Sequence, residues 1–109
     1  MAVLAVDGLP ADALLAAQAF HAEVLPTILS APAGTGVLTL LLPPLPHSQH
    51  GWLLAALQSL ARARAPQRVN AVAGEEPARS TLAHWLDGAE AITGQLIHAN
   101  GDDPAGVLG

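Results

Sequence analysis

The chain has 109 residues, a formal net charge of −5, 51% hydrophobic residues and only 12% charged residues. It contains no Cys, no Tyr and, since its four basic residues are all arginines, no Lys. Disulfides and thiolate chemistry are therefore excluded, as is any mechanism built on a phenol, a Schiff base or a P-loop lysine. An acidic chain whose basic residues are Arg62, Arg64, Arg68 and Arg79 also lacks the patch that nucleic-acid binding needs. Arg62, Arg64 and Arg68 read as solvated helix ends. The length fits one domain, 1–109. A charged fraction about half the roughly 25% typical of soluble domains suggests apolar surface left for a partner. No apolar run approaches the ~18 residues of a membrane span, and no positive segment precedes Val3-Leu4-Ala5-Val6 as in a signal peptide. The expectation is a cytoplasmic protein with no membrane partner.

In chain order, Val3 to Val6 reads as a buried strand ended by Asp7-Gly8. From Pro10 to about Leu29 the pattern is helical. Asp12 falls in the first turn, where a carboxylate suits the helix dipole. Leu14, Gln18, His21, Leu25 and Ile28 follow one face, and Leu15, Ala19, Ala22 and Leu29 the next, so burial on two sides is expected. Pro26 should kink this helix or end its regular part near Leu25. Ala31 to Gly36 is a turn, in which Gly34-Thr35-Gly36 is a lone G-x-G that precedes a strand. Val37 to Leu42 is the continuous apolar run of a strand covered on both faces. Pro43, Pro44 and Pro46 force an extended loop.

A second helix is predicted from about Gln49 to Ala65, stopped by Pro66, with Trp52, Ala55, Ala56, Ser59, Leu60 and Ala63 along one stripe. Val69 to Ala73 is a third strand, and Glu75-Glu76 reads as a solvated loop. Ser80 is the predicted N-cap of a short helix through Leu86, with Gly88 as its C′ residue. Gln95 to Ala99 is a fourth strand, and 101–109 a flexible tail. Alternating strands and helices imply an α/β fold with a parallel sheet.

Three stretches carry a resemblance. Arg68-Val69-Asn70-Ala71-Val72-Ala73-Gly74 resembles the sixth strand of short-chain dehydrogenases/reductases. Leu54-Ala55-Ala56-Leu57-Gln58-Ser59-Leu60-Ala61-Arg62 resembles the helix before it. Ala91-Ile92-Thr93-Gly94-Gln95-Leu96-Ile97 with Asn100-Gly101 resembles the family's closing segment. The resemblance implies a partial Rossmann-like fold: about four parallel strands, the family's strands four to seven, flanked by helices, the C-terminal half only. The family's glycine-rich turn, which cradles the dinucleotide pyrophosphate, has no counterpart in this sequence, so no cofactor is expected.

The resemblance also maps the family's catalytic positions. Its tyrosine position falls on His50, its lysine position on Leu54, and its serine position near Leu41 or Leu42. The site is thus expected to be degenerate, with no catalytic residue.

The family associates through the helices that follow strands four and five, and through its last strand. That implies an interface at Leu14, Gln18, His21, Leu25, Trp52, Ala56, Ser59 and Leu60. The partner would be a full-length short-chain dehydrogenase or a second copy of this chain, making the chain a non-catalytic subunit of an oxidoreductase complex. The alternative is a small-molecule-binding module, or an atypical enzyme using His50 at the strand ends.

Other groupings are weaker. His47 and His50 could share a metal only with a third ligand from His84, His98 or His21, and no metal site is expected. Asp102-Asp103 with Asp87 and Glu90 read as solvation. Trp85 is expected in the core, and Trp52 equally in core or interface.

Overall fold

The structure, a computed structural model, describes residues 2–99. The expected tail, Asn100-Gly101 and Asp102-Asp103 lie outside these. Four strands, β1 (Ala2–Ala5), β2 (Val37–Leu42), β3 (Arg68–Gly74) and β4 (Leu96–Ala99), form one sheet in the order β1-β2-β3-β4. Every pairing is parallel, with Leu4 opposite Leu40, Leu40 opposite Ala71, and Val72 opposite Ile97. The predicted α/β fold with four parallel strands is therefore what forms.

Alternation along the strands divides the core into two layers. Leu40, Leu42, Val69, Ala71 and Ala73 face Phe20, Ile28, Leu53, Leu57 and Leu60 of the two long helical segments. On the opposite side Val72 and Ile97 meet Leu82, Ala83 and Leu86 of α4 (Ala78–Asp87).

The first helix begins at Ala13 rather than Pro10, because Asp12 is its N-cap and accepts the Leu15 N–H at 3.0 Å. It comprises α1 (Ala13–Ala19), a π turn (Phe20–Val24) and α2 (Leu25–Ser30). Its irregularity lies upstream of the expected Pro26 position. The Leu25 N–H reaches back five residues to Phe20 O, and the helix then continues through Pro26 to Ser30. One inserted residue rotates everything beyond it by about 100°. The buried line accordingly runs through Ala16, Phe20 and Ile28, and the single face expected through Leu14 and Ile28 does not hold. Ile28 is buried, whereas Leu14 is 79% exposed.

Arg64 and Arg68 correct the reading of solvated helix ends, whereas Arg62 is exposed as expected. Arg64, at the end of α3 (His50–Arg64), is buried, and its guanidinium donates to Ile28 O at 2.8 Å and Ala31 O at 2.9 Å. Arg68 donates to Leu86 O, Asp87 O and Ala89 O. Each cation satisfies the orphan carbonyls at the C-terminus of another helix, where the dipole favours positive charge. Gly88, expected as the C′ residue, is instead the C-cap of α4, with φ −91°.

The N-terminus of α4 departs from expectation in the same way. The helix starts at Ala78, with Pro77 in the cap position. Ser80 is inside it and donates its hydroxyl and N–H to the Glu76 carboxylate, which also accepts from Arg79 Nε at 2.9 Å. Glu76 therefore acts as the cap rather than as plain solvation. The Ser80 hydrogen bonds and then Arg79 hold its carboxyl below the ordinary value of 4.5.

The segment between α4 and β4 is tied to β3. Buried Asn70 donates to Ile92 O and accepts from Gln95 N–H, while the Val69 N–H donates to Thr93 Oγ1. At the far end of β3 the two strands approach so closely that a methyl on Gly74 would lie 2.6 Å from Ala99 O and 2.8 Å from Ala99 Cβ, at φ +155°. Gly74→Ala should thus destabilise the chain by at least about 1–3 kcal/mol. It should also lower amide protection of β4 more than that of β1. Hydrogen exchange that slows or stays uniform in this variant would refute the close approach.

Candidate association surface and strand-end histidines

Two places gather polar or unpaired surface. The first is a groove between the first helix and α3. Small residues at Ala55, Ala56, Ser59 and Ala63 recur at spacings of one helical turn on α3 and leave room. His21, Leu25 and Leu29 form the facing wall, and the cavity measures about 420 Å³.

Of the interface residues predicted from sequence, the structure brings His21, Leu25, Trp52, Ala56, Ser59 and Leu60 to this groove. Leu60 is 3% exposed and belongs to the core, so it forms the floor rather than a contact surface. Leu14 and Gln18 are exposed on α1 but do not line the groove. Leu29 joins the lining although sequence periodicity placed it on a neighbouring face. The π turn accounts for that rotation.

Trp52 is half-buried, its ring 5.4 Å from that of Phe20, and its indole Nε1 has no hydrogen-bond partner. Trp85, expected in the core, is instead 48% exposed. The inward stripe of α4 is already filled by Leu82, Ala83 and Leu86, which leaves the indole outside.

The first helix bears on the expectation that no apolar run is long enough for a bilayer, since its apolar residues are interrupted by Gln18, His21, Glu23 and Thr27. Ala13–Ser30 spans 18 residues with mean hydropathy 1.2, long and apolar enough to cross a membrane by length and composition. Here it lies along the sheet through Ala16, Phe20 and Ile28. Leu14, Leu15 and Leu29 are each more than half exposed.

The second place is the carboxyl end of the sheet, where open α/β folds bind ligands. His50 opens α3, and Leu54, at the mapped lysine position, follows one turn later. Leu42, near the mapped serine position, ends β2 fully buried. Neither leucine can move a proton. His50 stacks on His98 of β4 with ring centroids 4.2 Å apart and planes inclined by 21°. His47, in the short 3₁₀ turn before α3, lies 5.0 Å from His50.

His98 Nε2 is buried without a partner. Burial first, and then the neighbouring His50 and His47, lower its pKa below 6.5. Beside it is a cavity of about 330 Å³ whose walls include Pro44, Leu45, Glu75 and His98. Of the three candidate third ligands, only His98 joins the His47–His50 pair. Among the described residues, no three His, Asp or Glu side chains are arranged to hold a metal ion.

Two of the three helix starts at these strand ends are poorly matched to a pyrophosphate. The helix N-termini that follow β1 and β3 are where a pyrophosphate would sit. Each already carries a carboxylate of its own, Asp12 and Glu76 respectively, which would repel the phosphates. Gly34-Thr35-Gly36 precedes β2 at the opposite end of the strand. The N-terminus of α3, which follows β2, has no acidic residue in its first turn.

A family profile described as "Short chain dehydrogenase-like protein" matches residues 4–99. No curated protein and no solved structure matches the chain.

Proposed function

The chain belongs to the short chain dehydrogenase-like family, and we propose that it serves as a non-catalytic subunit, joining a full-length short-chain dehydrogenase or a second copy of itself. The supporting observation is the unfilled groove between the first helix and α3, with exposed Leu29 on its wall and exposed Leu14 and Leu15 further along the same helix. Burying a leucine side chain contributes about 1.5–3 kcal/mol, so these side chains favour a covered state. The chemistry points the same way. With no Tyr or Lys in the sequence, and with Leu54 and Leu42 at mapped catalytic positions, the chain has no evident machinery for hydride transfer.

Co-expression with a dehydrogenase encoded beside it, followed by size-exclusion chromatography and an activity assay, tests this. Co-elution, or a homodimer, is the expected result. A chain that runs as a monomer and leaves the dehydrogenase neither bound nor altered would end the proposal, and a chain that pellets with lipid vesicles would assign the apolar helix to a membrane instead.

A second reading rests on the strand-end cavity beside His98. In that reading the cavity binds a small molecule, with His50 or its neighbours handling a proton. Thermal-shift screening with nucleotides and acyl-CoA compounds separates the two readings. Stabilisation that disappears in His50→Ala would favour the second.

A further inference from the structure

The three imidazoles at the carboxyl end of the sheet join parts of the chain that are otherwise far apart. His98 belongs to β4, His50 to the first turn of α3, and His47 to the turn before it. The nearly parallel stack of His50 on His98 at 4.2 Å, with His47 5.0 Å from His50, suits neutral rings. Protonating neighbouring rings would set like charges face to face at this distance.

We infer that His98, stacked on His50 beside His47, is a proton-operated latch that holds the end of β4 against the start of α3 while its ring is neutral and releases it when that ring is charged.

The surroundings supply little to offset that repulsion. On β3, the residue paired with His98 is Ala73. From the β3–α4 connection, Glu75 and Glu76 line the cavity that His98 also lines, but Glu76 is engaged by Arg79 and Ser80. Helix α4 carries Arg79, His84 and Asp87, yet it lies against the opposite face of β4 through Ile97. Among the described residues, Glu75 is thus the one carboxylate beside His98 not already engaged by another side chain, and it is exposed.

The sign of the pH effect follows. His98 is easier to protonate in the unfolded or released state than in the stacked one, because burial and the two neighbouring rings hold its pKa down. The stabilisation is therefore fully present above pH 6.5, the ordinary value. It is lost as pH falls below that value toward the lowered one. Release of β4 would also free one wall of the adjoining cavity.

Amide hydrogen exchange on the full chain at pH 7.5 and pH 5.0, together with an NMR titration of the five histidines, tests the latch. Protection factors at Ile97, His98 and Ala99 should fall on the order of tenfold at the lower pH. Those in β1 should hold. His98→Phe keeps a flat ring and removes the proton, so it should abolish the response. Should His98→Phe fold poorly, His50→Phe, which removes the stacked imidazole but leaves His98 buried, should diminish the response. His84→Gln, remote on α4, should respond as the wild type does. Equal protection of β4 at both pH values in the wild type would overturn the latch, as would an undiminished response in a folded phenylalanine variant or a lost response in His84→Gln.

Discussion

Phe20→Ala should cost about 3–5 kcal/mol of stability, the range for removing a fully buried aromatic ring. Phe20 is the only phenylalanine in the chain and has no solvent exposure. Its ring meets His21 edge-on at 5.5 Å and Trp52 at 5.4 Å, so it joins the first helix to α3 as well as to the sheet. It also opens the π turn, the point at which the helix changes register. Domains of this size are stable by about 5–15 kcal/mol in total, so the loss would take a large share. Urea unfolding followed by circular dichroism would show a lower midpoint at unchanged slope. Phe20→Leu, which keeps most of the volume, should cost less than about 1.5 kcal/mol. A loss under about 1 kcal/mol in Phe20→Ala would mean that the first helix is not anchored through this ring.

The sheet was legible because its strands are simple local signals, although the first strand, read as buried, is largely exposed in β1. Val37–Leu42 is apolar at every position but Thr39, and a strand covered on both faces needs little else to be read. Arg68–Gly74 was legible both as a strand and as a family motif, although the role of its polar members was not. Arg68 caps a helix 18 to 21 residues away, and Asn70 holds a segment 22 to 25 residues on. Such partners have no local signature. Arg64 was misread for the same reason, since its acceptors lie 33 and 36 residues back.

The groove was only partly legible. The small-residue stripe on α3 survives from sequence to structure because α3 is regular. On the opposite wall His21 and Leu25 were read correctly, but a π turn defeats a 3.6-residue count carried along the whole helix, so Leu14 and Gln18 were included and Leu29 was not. The histidine cluster shows the same division. His47 and His50 are neighbours by spacing, whereas His98 reaches them only through the pairing of β4 with β3.

Ala55→Glu carries the largest expected effect on assembly. Ala55 is exposed and lines the groove, so a carboxylate there meets water in the isolated chain. Exposed substitutions of this kind usually change stability by no more than about 0.5 kcal/mol, and α3 accepts glutamate well. In a complex seated on the groove the same carboxylate would be buried without a partner, at a cost of about 3–5 kcal/mol. Each 1.4 kcal/mol is tenfold in affinity, so association should weaken by on the order of a hundredfold or more. If the partner is a second copy, the groove occurs twice in a symmetric interface, and the negative charge already on the chain adds to the repulsion. Sedimentation equilibrium would measure the homodimer, and co-purification a dehydrogenase partner. Gln58→Glu is the matching control: Gln58 is exposed on α3 but does not line the groove, and its variant should assemble as the wild type does. Equal weakening by both substitutions would assign the effect to net charge. Undiminished assembly of Ala55→Glu would place the contact elsewhere, with exposed Trp85 on the opposite layer of the fold as the next surface to test.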